Sequence, residues 1–573
     1  MENKCNKYMR KAFDYSFCCV CIGILFFCYS CGEGKPGEIK DIVEEPAQMN
    51  QRVETNINEY LSAIGNDGEL DDTTTFVLIA DVKNFYSETG YKPVWCDNEA
   101  FLPVADSLIL FIKNAKQYGL FPNMYHNAVM QTVNDRFVAD TASTGDRRDA
   151  GLWAKADVLL TDAFFAIAKH LYVGRLKPDS LSARTDSLVT DDFYAALIKQ
   201  VKKGKQLSDI LHALEPKHEG YIELKHAIHS FLDSADFQHT FTYVSYPYKD
   251  SLEFVETLTK RLQEEGVLSW QIKEVDSMQL KEALIKLQKN KKLTVDGKFG
   301  AQVVRYLNNT DQEKFKRIAI NLDRYKLLPA EMPERYIWVN LPAYQLQLWD
   351  KDTVRLESRV VVGKPITRTP LLTSRISDMV VYPQWTIPNS IIMKEIVPAL
   401  RKNPGYLAKK GYALMTWEGE EVDPYTIDWT KYKKGIPFRI VQGSGDDNAL
   451  GIMKFNFPNK YSVYLHDTNQ RYLFKNDKRA LSHGCVRVQE WEKLTYYISG
   501  LDSTNYEFDT SRVVSDSIRV WLDRKEKHVV KVKSKLPVYF RYFTVAVKNG
   551  KLVFFEDIYN EDKTAREAYF STK

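Results

Sequence analysis

Cysteine is almost missing from the body of this chain. Of eight cysteines in 573 residues, Cys5, Cys18, Cys19, Cys21, Cys28 and Cys31 crowd the start, and only Cys96 and Cys485 follow. Two isolated thiols make no disulfide framework, and they show no metal-ligand spacing. A surplus of charge of one sign is missing as well. The 79 basic and 75 acidic side chains leave +4, which gives no reason to expect nucleic acid, whose binders gather a basic face. The apolar run Phe17 to Tyr29 (FCCVCIGILFFCY) is shorter than the about 20 residues that a full membrane span wants.

What is present points outward from the cytoplasm. Lys4, Lys7, Arg10 and Lys11 precede that apolar run, the layout of an export signal. Ser30 before Cys31, followed by the polar GEGKPGE, resembles a bacterial lipoprotein processing site with Cys31 as the lipid-bearing N-terminus. Cys28 and Tyr29 depart from the aliphatic and small residues usual ahead of such a site, so an uncleaved anchor and simple secretion stay open. Residues 1–31 are therefore expected to be an export or lipoprotein signal, and 32–52, rich in Gly, Pro and Glu, a tether. The expected location is the cell envelope, periplasmic and attached to the membrane through the N-terminus.

The length exceeds what one hydrophobic core organises, so several domains are expected. Apolar residues at 44% with charged residues at 27% suit folded globular domains. The 33 tyrosines fit either extended surfaces that grip a polymer or β-rich cores. Helical periodicity dominates 53–250, with helices expected over Ala100–Leu120 and over Ala156–Leu171, the latter stopped at Gly174. His226 and His229, three apart on a helix face, have no acidic partners and are expected to be solvated. Residues 251–330 contain LKEALIKLQKNKKLTVDGKFGAQVVRYLN, read as helix, tight turn at Asp296–Gly297, bend at Gly300, helix. This pattern resembles the small three-helix peptidoglycan-binding domain. From Arg335 to the C-terminus, 335–573, apolar and polar residues alternate as in strands, with hairpins at Asp350–Lys351 and Asn549–Gly550. A stretch rich in Pro, Trp and Tyr, about 379–432, interrupts the strands as a flap.

The chemistry gathers in YSVYLHDTNQRYLFKNDKRALSHGCVR, Tyr461 to Arg487. A thiol becomes a strong nucleophile when a base takes its proton or positive surroundings favour the thiolate. His483 lies two residues before Cys485, on the same face if the segment is a strand. His466 ends the strand YSVYLH and can reach Cys485 from a neighbouring one. Gly484 permits tight backbone geometry that aims its N–H and that of Cys485 at an oxyanion. Arg487 can pair with a substrate carboxylate or a structural acid. Cys485 could equally be a buried small hydrophobe, or a zinc ligand with His466 and His483, although no fourth ligand is indicated.

SHGCVR, preceded by a His at a strand end, is similar to the signature of the L,D-transpeptidase catalytic domain. NALGIMKFNFPNKYSVYLHDT, YPQWTIPNSI, LPVYFRYFTVAV, FYSETGYKPVW, YGLFPNMY and HLYVGRLKP resemble the large multi-domain branch of that family. The resemblance implies a multi-domain α+β fold: a helical scaffold, the three-helix domain, and a β-rich catalytic domain with its flap. It implies that Cys485 attacks the third residue of a tetrapeptide stem of peptidoglycan and expels D-Ala. His466 then acts as base and later acid, oriented by the backbone carbonyl of Asp467. Tyr464, His483 and the N–H groups of Gly484 and Cys485 line the oxyanion region, and Ser482, Arg487 and Asp467 complete the substrate site. A second stem supplies the amine that forms the cross-link. No metal or organic cofactor is required, and carbapenems are expected to acylate Cys485. Hydrolysis by the same site, an L,D-carboxypeptidase, is the first alternative, and a non-catalytic wall-binding protein the second.

Overall fold

The helical half is built around one helix that is apolar on every side. Helices α1 (Met49–Ala63), α2 (Ile79–Thr89), α3 (Pro103–Lys113) and α4 (Asn127–Ala139) surround α5 (Ala150–Tyr172), whose residues are nearly all buried. A helix without a polar face must be enclosed, and the ring of neighbours encloses it. The computed structural model describes residues 39–71, 74–139, 148–178, 181–182, 188–190, 192–505 and 515–571. The export segment and Cys31 lie outside the described residues.

Asp157 on α5 accepts hydrogen bonds from Tyr86 Oη (2.5 Å), Val94 N (3.0 Å), Trp95 N (2.7 Å) and Cys96 Sγ (3.5 Å). One buried carboxylate thus organises the FYSETGYKPVW segment. Cys96 is buried and free, and its thiol is spoken for. One turn on, Asp162 accepts from Val77 N, Leu78 N and His126 Nε2.

Two sequence expectations need correction in this half, and the expected solvation of His226 and His229 agrees with the structure. The tether is anchored in its described part: Val43 and Met49 are buried, and α1 already starts at Met49. A Cβ on Gly151 would sit 2.0 Å from Ile39 O, so the incoming strand lies directly on α5. The expected helix over Ala100–Leu120 is shorter. Strand β2 (Ala100–Phe101) pairs with β1 (Cys96–Asp97), Pro103 opens α3, and a 3₁₀ turn at Ala115–Tyr118 follows. Proline suits the first helical turn, where its missing N–H costs nothing. His226 and His229 are exposed on the helix Glu219–Ser234.

The small domain packs Leu258 and Leu262 against Leu284, Leu287, Val303 and Leu307 from three helices, Ser251–Glu264, Ser277–Asn290 and Ala301–Leu307. Its turn is built by Gln288. The buried amide donates to Asp296 Oδ1 (2.8 Å) and accepts from Asp296 N (3.1 Å) and Gly297 N (2.9 Å). Gly297 takes φ +65°, the left-handed region that favours glycine. Gly300 is extended at φ −143°, and the bend there needs no glycine. The helix Asp311–Lys326 then joins the two halves. Its Lys326 Nζ donates to His170 O (2.7 Å), and its Asn321 exchanges hydrogen bonds with Thr544 (2.8 and 2.9 Å).

The C-terminal half is a curled sheet. Its strands are β3 (Arg335–Asn340), β4 (Gln345–Asp350), β5 (Thr353–Gly363), β6 (Leu372–Arg375), β7 (Asp378–Val381), β11 (Met453–Asn456), β12 (Leu465–His466), β13 (Ala480–Ser482), β14 (Val486–Val488), β15 (His528–Lys531) and β16 (Pro537–Arg541). Among the described residues the order is β15-β7-β11-β12-β14-β5-β4-β3-β16-β6, with β13 beside β5. Between β7 and β11 sits the insertion, where β8 (Trp385–Thr386), β9 (Tyr412–Met415) and β10 (Arg439–Gln442) form a separate three-stranded sheet. It has its own core of Ile396, Leu400, Leu414, Trp429 and Ile440. The flap therefore starts after β7, which belongs to the main sheet, and extends through Gln442 rather than stopping near 432. The β4–β5 turn is centred on Lys351 and Asp352, both at positive φ, one residue later than expected. Asn549 and Gly550, also at positive φ, turn the hairpin of β17 (Val545–Lys548) and β18 (Lys551–Phe554).

Candidate active site

The parallel pair β12–β14 sets the site. Register places Leu465 beside Val486 and His466 beside Arg487, and Val486 N donates to Tyr464 O (3.1 Å). Side chains alternate across a strand. Leu465, Val486 and Val488 enter the core, so Tyr464, His466, Cys485 and Arg487 share the opposite face. Lys454 on β11 pairs with His466 and joins the same face.

Cys485 lies in the short bend between β13 and β14, because Gly484 adopts φ +127°. The bend is clasped from below. Ser482 Oγ donates to Cys485 O (2.6 Å) and accepts from Gly484 N (3.1 Å). Thr369 Oγ1 donates to Gly484 O (2.8 Å), and Thr367 Oγ1 donates to Ser482 O (3.0 Å). Tyr559 Oη accepts from Thr369 N (3.1 Å) and donates to Gly363 O (2.7 Å), which ties the clasp to the C-terminal segment. The thiol itself is half-buried and donates to Ser462 O at 3.8 Å.

The electrostatics favour a resting pair of neutral groups. Burial pushes the Cys485 thiol up, opposed by the Tyr464 N–H and hydroxyl and by the Lys454 and Arg487 cations. Burial, aided by Arg487, drives the His466 imidazole down to about 3, opposed by the backbone carbonyls of Asp467 and Leu450. His466 is therefore a neutral imidazole at any working pH, and its Nδ1 has no hydrogen-bond partner among the described residues. Burial followed by the neighbouring thiol raises Tyr464 well above the usual phenol range, so it is a hydroxyl donor. Its ring stands 5.6 Å from that of His466 and carries Lys454 Nζ 4.0 Å from its centroid.

The eight sequence candidates do not all meet at the thiol. Tyr464, His466, Cys485 and Arg487 share the working face. Arg487 Nη1 donates to Gln470 Oε1 (2.9 Å), not to an acid. His483 is on a bend, not a strand, and turns outward to Glu395 Oε1 of the flap at 2.5 Å. Ser482 is buried and fully engaged in the clasp, which leaves it nothing to offer a substrate. The Gly484 N–H is taken by Ser482, whereas the Cys485 N–H has no internal partner among the described residues. The Asp467 carboxylate accepts from Ile452 N (3.1 Å) and Arg471 Nη2 (3.0 Å), and so braces the preceding loop instead of facing substrate. Among the described residues no group of three or more His, Cys, Asp or Glu is placed to hold a metal.

The family of L,D-transpeptidase catalytic domains matches residues 334–502, and the Scaffold domain family matches residues 80–228. Residues 334–502 thus carry a catalytic domain of the L,D-transpeptidase family. A curated Haemophilus influenzae protein named "Putative L,D-transpeptidase" is 35% identical over 248 residues, which is 43% of this chain and 48% of that protein. The match thus spans about half the length of that relative. A Mycobacterium smegmatis L,D-transpeptidase structure overlaps 36% of this chain and 58% of its own at 12% identity and TM-score 0.17. An Enterococcus faecium catalytic domain acylated by ertapenem overlaps 37% of this chain and 99% of its own at 13% identity and TM-score 0.17. At those scores neither overlap carries an argument.

Three residues of this catalytic domain escape a linear reading. Lys454 is legible only through strand register, although the alternation in MKFN does turn it away from the core. Glu395 lies 88 residues before its partner His483. Trp385 of the flap borders the Tyr464 hydroxyl. Lys454 has a measurable consequence, because a cation near a thiol favours the thiolate. Lys454→Met is expected to slow iodoacetamide labelling of Cys485 at pH 8 by about threefold to tenfold, the effect of roughly half to one pKa unit. Unchanged labelling would remove Lys454 from the site's electrostatics.

Proposed function

We propose that this protein is a peptidoglycan L,D-transpeptidase that works through a thioester on Cys485. The observation that carries the proposal is the common face of Cys485, His466 and Tyr464, with the thiol held in a glycine-formed bend. The Cys485 sulfur attacks the carbonyl of the third residue of a tetrapeptide stem, and its proton passes to the neutral His466. The negative oxygen is stabilised by the Cys485 N–H and the Tyr464 hydroxyl. The peptide C–N bond breaks, and His466 returns the proton to the amine of the departing D-Ala. An amine of a second stem then attacks the thioester and gives up its proton to His466, the C–S bond breaks, and His466 passes that proton to the departing sulfur to restore the thiol. Arg487 and Lys454 make a lasting imidazolium unfavourable, which suits a proton that is handed on within one step.

The same thiol is the proposed point of attack for carbapenems. The proposed location is the cell envelope, reached through the N-terminal basic-apolar segment. No helix among the described residues is long and apolar enough to cross a membrane.

The test is incubation of purified tetrapeptide muropeptides with the full chain, read by mass spectrometry. Dimers lacking one D-Ala support transpeptidation. Tripeptide monomers alone would replace it with L,D-carboxypeptidase activity, in which water takes the place of the amine. Unchanged tetrapeptides would leave a wall-binding protein.

A further inference from the structure

A second binding feature lies away from the thiol. The outer face of β3 and β4, together with the N-terminal end of the helix Glu219–Ser234 and the β17–β18 hairpin, encloses a groove of about 970 Å³. Its floor is an aromatic ladder. Tyr336 and Trp349 are register partners stacked at 6.0 Å with planes 8° apart, and Trp338 stands beside Phe543 at 5.5 Å. Its opposite wall adds Tyr325 and His218, with ring centroids 6.1 Å apart. The alternate residues of the same strands, Ile337, Val339, Leu346 and Leu348, are wholly buried in the core. Three large rings therefore stay partly exposed along the floor of the groove.

The polar groups narrow the ligand. Gln345 Nε2 and Gln347 Nε2 both donate to Glu357 Oε1, at 3.0 and 2.8 Å, which leaves their carbonyls and second N–H groups available. Glu219, Glu223, Glu331, Asp352 and Glu357 line the groove against only Lys217 and Lys548. That balance repels a polyanion. Flat aromatic faces attract polarised C–H groups, and paired amides bind hydroxyl and acetamido groups. An uncharged sugar polymer has both. The volume lies at the upper end for ligand sites and accommodates more than one ring.

Register ties the groove to the catalytic face. Arg487 pairs with Val361 on β5, Glu357 on β5 pairs with Gln347 on β4, and Gln347 pairs with Trp338 on β3. Cys485 and Trp338 consequently lie on the same face of one sheet. Strands β4 and β3 are two and three places from β14, about 10–15 Å across the sheet, and the register from Cys485 to the level of Glu357 and Trp338 adds about 20 Å along the strands. The turn Arg471–Lys475 lies between, and Arg359 Nη1 donates to its Phe474 O at 3.2 Å.

The geometry points to this groove as a binding site for a neutral N-acetylated hexosamine strand, which holds the polymer on the sheet face that carries the thiol so that a stem can extend toward Cys485. This rests on the proposed function for the identity of the stem, but not for the sugar chemistry.

Tryptophan fluorescence titration of the full chain with chitotetraose and chitohexaose, which lack any peptide, tests it directly. Saturable binding is expected, stronger for the longer oligomer. It should weaken about tenfold or more in W338A/W349A and by a smaller factor in Q347A, as for central aromatic anchors. Iodoacetamide labelling of Cys485 should be unchanged in both variants, which shows that the fold and the thiol are intact. With muropeptide substrates the variants should raise KM and leave kcat alone, and with sugar-free stem peptides they should change neither. The proposal is overturned if chitohexaose does not bind the wild type, if binding survives W338A/W349A, or if sugar-free stem peptide competes for the groove. Failure of sugar binding with normal muropeptide turnover would overturn the groove alone. Sugar binding without turnover would overturn the catalytic reading alone.

Discussion

Cys485→Ala is expected to leave no product above background on tetrapeptide stems, whereas His466→Gln should retain about 10⁻² to 10⁻⁴ of the wild-type rate. The two losses differ because the groups do different work. Without the sulfur no thioester forms. Without the imidazole the thiol still attacks, but only through the fraction ionised by solvent, and glutamine cannot take the proton. The pH profile separates a neutral pair from an ion pair. Burial raises the thiol's pKa, and His466 is neutral above about pH 3. The thiolate fraction then falls about tenfold for each pH unit below the thiol's pKa. Iodoacetamide labelling of Cys485 should rise steadily with pH from 5 to 8, with no low-pH plateau, and should follow nearly the same curve in His466→Gln. A plateau beginning below pH 7 that disappears in His466→Gln would mean a resting thiolate–imidazolium pair, and the neutral-pair account would fail.

How much of this was legible in the sequence depends on where each residue's partners lie along the chain. SHGCVR and YSVYLH are contiguous, so the candidate nucleophile and base can be read as text, and strand alternation supplies their common face. Long helices such as α5 are legible because apolar periodicity is a local property. The tight turn of the small domain is legible too, since Gln288, Asp296 and Gly297 lie within ten residues. What escaped is set by distant pairing. His483 looks like a neighbour of the thiol until the bend at Gly484 turns it toward Glu395 in the flap. Ser482 reads as a substrate contact, yet its hydroxyl is consumed by the backbone on either side of Gly484. The flap's limits escaped because β8, β9 and β10 are two to four residues long and pair with one another, so their pattern is indistinguishable from that of the main sheet. The start of α1 was hidden by a composition that reads as linker, although Ile39, Val43 and Met49 supply the apolar contacts that fix it.

A comparably large effect, on stability and not on rate, is expected at Asp157. This carboxylate is wholly buried and serves four donors in the Tyr86 and Val94–Cys96 region. Asp157→Ala removes the acceptor and leaves the Val94 and Trp95 N–H groups buried without partners, at about 1–3 kcal/mol each, while the Tyr86 phenol keeps Thr161 Oγ1 and the Asp157 carbonyl. A loss of about 4 kcal/mol is a moderate reading of that sum, and it corresponds to a fall of about 10 °C in the melting of a domain this size. Asp157→Asn should cost less, since the amide keeps one acceptor oxygen, although its NH₂ must face a donor. Cys96 gives an independent reporter within the same network. In the wild type burial and the Asp157 carboxylate raise its pKa well above normal, and labelling under native conditions should reach Cys485 only. In Asp157→Ala the Cys96 thiol should become reactive at temperatures where Cys485 chemistry persists. If Asp157→Ala melts within about 2 °C of the wild type and Cys96 stays protected, the carboxylate is not what holds the segment to α5, and apolar packing around Trp95 and Phe164 would have to suffice.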